Sequence, residues 1–243
     1  MSWVGSSFLE RADYSNAEVW FQRSLDAADD TKPNEAALSW HQLASIDLNR
    51  GEYEEARQKL ETALKIRQRI GDRAGEAATL HQLATIDLNR GEYEEARQKL
   101  ETALEMRQQI DDRVGEAATL HNLASIDLER GEYEKARKKF ETALGIWQRI
   151  GNRAGKAMTF ANLGVMASRR GHVEEGLRLV ALSATILGSI GHADLKEVAP
   201  WVNGFASQLQ YTQEQLEAMR QEVAESYRRD QGRGLIDAAF GED

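Results

Sequence analysis

The chain of 243 residues contains no cysteine, so it can form neither a disulfide nor a thiolate metal site. It has only two prolines, Pro33 and Pro200, so almost nothing interrupts helices. No apolar run approaches the roughly twenty residues that a membrane-spanning helix needs. The opening stretch MSWVGSSFLERADY lacks a basic segment followed by a long apolar one, so no secretory signal is read and a cytoplasmic setting is expected. Positive charge is also in deficit: the net charge is -9, which repels phosphate backbones and argues against nucleic acid as the partner. Arg67, Arg69, Arg73, Arg107 and Arg113 do cluster, but near helix ends, where they read as cations favoured by the C-terminal dipole. Signatures of catalysis are missing as well, with neither HExxH nor GxSxG. The segment GNRAGK (151–156) has one residue too few between its glycines for a phosphate-binding loop, and an alanine follows it. No enzyme, cofactor or metal is expected.

Repetition is what the chain has in abundance. The stretch from Leu43 to Leu80 recurs almost residue for residue from Leu83 to Leu120, and a looser copy starts at Leu123. Tyr53, Tyr93 and Tyr133 mark a period of about forty residues, in the range of helical repeat arrays. Within one period, Ala77, Leu80, Leu83, Ala84 and Ile86 fall at three- and four-residue steps, predicting a helix from Arg73 to Asn89 with one buried stripe. Asp72 occupies its N-cap position, and Gly91 supplies the left-handed turn that follows. A second helix is predicted from Glu92 to Ile110, its apolar stripe running Tyr93, Ala96, Leu100, Ala103, Leu104, Met106 and Ile110. The alanines let backbones approach, and Leu80, Leu83, Tyr93 and Leu100 are expected to fill the remaining space. One such hairpin cannot bury its own stripe, whereas stacked hairpins can.

The pattern Leu80, Leu83-Ala84, Gly91, Tyr93, Ala96, Leu100, Ala103-Leu104 resembles the tetratricopeptide repeat. It recurs from Trp40 and Leu120, and more weakly from Phe160. The long unit, which lacks a closing proline, resembles the variety found in kinesin light chains and in the sensor arms of maltose-regulator-type bacterial signalling ATPases. The resemblance implies an all-α fold, an alpha-alpha superhelix with C-terminal capping helices. The expected divisions are a truncated N-terminal repeat (1–36), repeats at 37–76, 77–116 and 117–156, a degenerate repeat at 157–191, capping helices at 192–230 and a tail at 231–243. The truncated repeat should hold a short first helix over 2–10. The capping segment is predicted to contain a helix over 195–209, disturbed near Pro200, and another from Thr212 to Arg229 that opens with a capping box. The last segment, with Leu235, Ile236 and Phe240, reads as a loose tail or a short docking peptide, the loose form being favoured.

In this family the first helices build the recognition wall, the concave face of the solenoid. Here that wall would carry His41, Gln42, Ser45, Leu48 and Asn49, then His81, Gln82, Thr85, Leu88 and Asn89, then His121, Asn122, Ser125, Leu128 and Glu129. The set is suited to bonding the backbone of an extended peptide. The near-identity of the repeats instead favours a repetitive partner, a second copy of the chain, or recent duplication without tuning. The histidine ladder does not suggest a metal site, because equivalent residues of stacked hairpins lie about 10 Å apart while metal–nitrogen bonds are about 2 Å. The carboxylate-clamp form of the family needs cations where this chain has His41, Ser45, Gln82, Ala118 and Asn122, so that activity is not implied. Asp47, Asp87 and Asp127 stand where the family often has an aromatic. They are expected to pair with Arg50, Arg90 and Arg130.

The resulting expectation is a non-catalytic scaffold for protein–protein interaction, with a protein or peptide as partner and no nucleic acid or membrane. Two alternatives stand beside it: a sensor arm related to bacterial signalling ATPases, and a self-assembling repeat protein that associates through its solenoid ends.

Overall fold

The computed structural model describes residues 14–28 and 31–241. The short first helix expected over 2–10 lies outside the described residues. Among the described residues there are twelve α-helices and no strand: α1 (Tyr14–Asp26), α2 (Pro33–Arg50), α3 (Tyr53–Ile70), α4 (Arg73–Asn89), α5 (Tyr93–Gln109), α6 (Arg113–Glu129), α7 (Tyr133–Arg149), α8 (Arg153–Arg169), α9 (Val173–Ile190), α10 (Leu195–Gln208), α11 (Gln213–Asp230) and α12 (Arg233–Phe240). The chain divides into two units between Thr119 and Leu120, inside α6.

The boundaries follow from capping chemistry. Asp72 Oδ1 accepts from the Gly75 backbone N–H at 3.0 Å, and Asp112 and Asn152 do the same for Gly115 and Gly155 at 2.9 and 2.8 Å. Gly51 ends α2 in the left-handed region (φ 79°), which lets the Glu52 N–H reach back to Asp47 O at 2.8 Å. Thr212 and Gln215 form the expected reciprocal capping box at the start of α11.

In the first unit, α1 packs on α2, α2 on α3, α3 on α4 and α4 on α5. Phe21, Leu43 and Ile46 form one cluster, and Leu60, Leu83 and Ile86 another. The first helix of a hairpin is covered on more than the one stripe that periodicity suggests, since α4 buries Thr79 and Asp87 along with Ala77, Leu83, Ala84 and Ile86. Tyr53 and Tyr93 are not core residues, at 39% and 37% exposure. They open the second helices, where the Cα–Cβ bond tilts toward the helix N-terminus and so toward the turn before it. Ile110 is likewise 40% exposed.

In the second unit, α8 and α9 cross closely at Gly164 and Gly176. A Cβ on Gly164 would stand 2.7 Å from Gly176 O, whereas the earlier hairpins carry alanine at these positions. Helix α9 is apolar on most of its surface because α8, α10, α11 and α12 all pack on it. Helix α10 runs through Pro200 without interruption, the proline being exposed on the second turn. The final segment is not loose over 233–240: α12 buries Leu235, Ile236, Ala239 and Phe240. Arg137 Nη1 donates to Phe240 O at 2.8 Å, and the Arg137 and Arg170 guanidinium carbons lie 5.3 and 5.9 Å from the Phe240 ring centroid.

Candidate functional site

In the first unit the candidate wall is built by α2 and α4. Ser45 donates to His41 O at 3.1 Å and accepts from Gln82 Nε2 at 3.1 Å, so these two helices are linked side chain to side chain. Thr85 Oγ1 donates to His81 O at 3.0 Å, and Asn49 Nδ2 to Ser45 O at 2.8 Å. Leu48 is half-buried against the Leu60–Leu83 cluster. Gln42 and Leu88 are half-buried, while Asn89 is exposed. Gln82 Oε1 is buried and accepts no hydrogen bond, an acceptor left unsatisfied in the wall.

The histidines of this unit are tied into a buried clamp behind the wall. Arg67 is 5% exposed, and the two hydrogens of its Nη1 are shared among Gly75 O (2.6 Å), Thr79 Oγ1 (2.5 Å) and His41 Nδ1 (3.2 Å). Arg107 repeats the arrangement with Gly115 O (2.6 Å), Thr119 Oγ1 (2.6 Å) and His81 Nδ1 (3.3 Å). These two arginines therefore do not simply answer the helix dipole; they stitch one helix pair to the next. Burial pulls both guanidinium pKa values below the ordinary one, with Asp72 and Asp112 opposing the shift. His41 is pushed down to about 4, first by burial and then by the Arg67 charge. It stays neutral and accepts from Arg67 through Nδ1, leaving the proton on Nε2.

In the second unit a tryptophan takes the place of the arginine. Trp147 lies against Gly155, where a Cβ would meet its ring at 2.6 Å. His121 has Nδ1 3.4 Å from Thr159 Oγ1 and Nε2 2.8 Å from Asn162 Nδ2, and its ring stands edge-on to Phe140 at 5.3 Å. The Thr159 proton is already given to Gly155 O, so His121 donates through Nδ1 and accepts at Nε2. Burial pushes this histidine down to about 4 as well. Ser125 donates to His121 O at 3.1 Å, Asn122 is half-buried, and Glu129 pairs with Arg169 at 2.9 Å. Leu128 is 5% exposed and belongs to the hydrophobic core. Among the described residues no cluster of His, Cys, Asp or Glu is placed to hold a metal ion.

The tetratricopeptide-repeat family model matches residues 35–109 and 115–181, more than half of the chain. The chain is a tetratricopeptide-repeat protein. Its fold class is all-α, an alpha-alpha superhelix, and the similar solved structures agree. BtubC (BKLC) from P. vanneervenii is 20% identical, with 90% of this chain and 92% of that one covered and a TM-score of 0.66. A Rap protein complexed with competence and sporulation factor is 14% identical, with 97% and 70% covered and a TM-score of 0.69. A signal transduction ATPase with numerous domains and a tetratricopeptide-repeat sensor, from Pyrococcus horikoshii, is 17% identical with a TM-score of 0.68; the alignment takes in 98% of this chain but 38% of that one. No curated protein matches the chain.

One departure from the repeat pattern resolves differently from the sequence expectation. The aspartates are paired, but with lysines of the following helix: Asp47 with Lys59 (2.5 Å), Asp87 with Lys99 (2.7 Å) and Asp127 with Lys139 (2.5 Å). Asp87 also accepts from Arg57 at 2.9 Å. Arg50 and Arg90 reach exposed glutamates instead, Glu18 at 2.8 Å and Glu54 at 3.2 Å. A residue three positions on lies along the same helix, while the lysine twelve positions on stands across the hairpin from the carboxylate. Sequence reasoning also missed a groove of about 710 Å³ between α9, α10 and α11, with Ala184, Leu195, Ala199 and Val202 on its apolar side and Glu217, Arg220, Glu225 and Arg228 on its polar side. No signal pointed to it, because α10 and α11 lie outside the repeat pattern.

Proposed function

We propose that this tetratricopeptide-repeat protein is a non-catalytic scaffold that holds an extended peptide or helix on the first-helix wall, in a cytoplasmic setting. The observation that carries the proposal is the Gln82 amide on α4, half-buried with its Oε1 unsatisfied, together with the exposed amide of Asn89 about two turns further along the same helix. A small rotation of the half-buried Gln82 amide would present this oxygen to a backbone N–H of a bound chain, relieving a lack of a partner that costs about 1–3 kcal/mol. The likeness to a Rap protein solved with competence and sporulation factor supports the same use of the fold. His41, His81 and His121 serve the scaffold, and Gln42, Gln82, Leu88 and Asn89 face the ligand. Selection from a displayed random-peptide library tests the proposal. Peptides enriched on the native chain should be lost on a Gln82→Ala/Asn89→Ala variant of unchanged helicity, and equal enrichment on both would remove the wall from consideration.

A sensor arm of a larger signalling ATPase is the second proposal. It rests on the alignment with the Pyrococcus horikoshii protein, which takes in nearly all of this chain and only 38% of that one. A longer reading frame carrying a nucleotide-binding domain upstream would support it.

A further inference from the structure

We infer that α12 is an exchangeable element, and that two copies of this chain associate by each seating its α12 in the other's groove. This groove, separate from the one between α9, α10 and α11, is the seat in which α12 buries Leu235, Ile236, Ala239 and Phe240 while packing on α8, α9 and α11, and the connection that leads into it is held closely as well. Gly232 lies so close to Phe160 and Leu182 that a Cβ would meet them at 2.7 and 3.2 Å. Lys156 Nζ stands 4.8 Å from the Tyr227 ring centroid and 3.4 Å from Gln231 Oε1.

The groove also has one address in the repeat pattern. Arg57, two repeats before Arg137, is held by Asp87 at 2.9 Å and Glu92 at 3.2 Å. The residues two repeats after those acids are Ala167 and His172. Arg137 therefore lacks the counterparts of both carboxylates; its Nε pairs with Glu141 on its own helix at 2.7 Å, and its Nη1 is committed to Phe240 O.

The connection between α11 and α12 invites exchange. It consists of Gln231 and Gly232, both left-handed, with φ of 60° and 89°. For glutamine that region is strained. If both residues took helical dihedrals, α11 and α12 would become one continuous helix, and Phe240 would stand about 15 Å beyond Asp230. The apolar face of α12 would then have no cover in its own chain, and the vacated groove of a second copy supplies it. The exchange is reciprocal, so it closes as a two-fold dimer without an open end.

The chain has no cysteine, which makes the test clean. Gln148 and Arg233 line the same cavity beside α12. Two single variants, Gln148→Cys and Arg233→Cys, are mixed at high concentration and oxidised mildly. A disulfide between the two chains is expected, falling by roughly tenfold or more when Phe240→Ala removes the anchor of the second chain. A yield no higher than that of a control pair, Gln148→Cys with Glu214→Cys, would overturn the proposal. Light scattering supplies an independent measure. Deleting Gln231 and Gly232 should produce a dimer and Gln231→Gly should favour the monomer, whereas a folded, monomeric deletion variant would overturn the exchange.

Discussion

Mild acid should destabilise this protein well above the pH at which carboxylates ordinarily titrate, and two histidines carry the effect. His41 and His121 are both held down to about 4 in the folded chain, chiefly by burial. Unfolded, each returns to the ordinary value of about 6.5. Between those limits the unfolded chain binds protons that the native chain refuses, so stability is full above about 6.5 and is lost as the pH falls toward 4. At pH 5 the difference amounts to about 2 kcal/mol for each histidine. For His41 the cause includes Arg67 Nη1 at 3.2 Å, since a proton on Nδ1 would face a guanidinium and lose its only acceptor role. For His121 it is the apolar surround, with Phe140 edge-on at 5.3 Å. The assay is urea unfolding at pH 7 and pH 5, followed by circular dichroism, with His41→Gln and His121→Gln variants alongside the native chain. Each variant should lose stability at pH 7 yet show a smaller drop between the two pH values. A native chain equally stable at both pH values, or a drop unchanged in both variants, would refute the reasoning.

Four further outcomes follow from the packing. Gly164→Ala should lower stability by about 1–3 kcal/mol, because its Cβ would meet Gly176 O at 2.7 Å and Val180 Cγ1 at 2.8 Å; the gain in helix propensity is only about 1 kcal/mol. Gly145→Ala, with nothing within 4 Å, should instead raise the melting temperature, and a thermal melt of both variants checks the contrast. Arg107→Met should cost about 1–3 kcal/mol in urea unfolding, since it leaves Gly115 O, Thr119 and His81 without their shared donor; a stability equal to the native value would deny the clamp. Asp87→Ala should cost a similar amount by leaving Lys99 and Arg57 without their shared carboxylate, and a Lys99→Met background should make that cost smaller in a double-mutant cycle.

Local features were legible in the chain because they depend on near neighbours. The helix over Arg73–Asn89, the Asp72 cap, the left-handed glycines and the Thr212 capping box are all set by residues within one turn. The repeat period also showed that such helices must stack. Partner choice across the hairpin was not legible. Arg50 looks like the natural mate of Asp47 in the sequence, yet Lys59 stands opposite it in space. The histidines looked like ligand-facing groups because their positions match a recognition wall; the buried Arg67 and Arg107 that engage His41 and His81 lie twenty-six residues away. The docking of α12 had a faint signal in Ala167 and His172, which break the acid pattern that holds Arg57. That signal becomes readable only once Arg137 is seen reaching Phe240.

The proposed wall is tested most directly by hydrogen–deuterium exchange of the chain with and without a library-selected peptide. Added protection is expected on α2 and α4, with side-chain dependence on Gln82 and Asn89, and little change along the outer helices α3 and α5. Protection confined to α3 and α5, or to the groove between α9, α10 and α11, would contradict it.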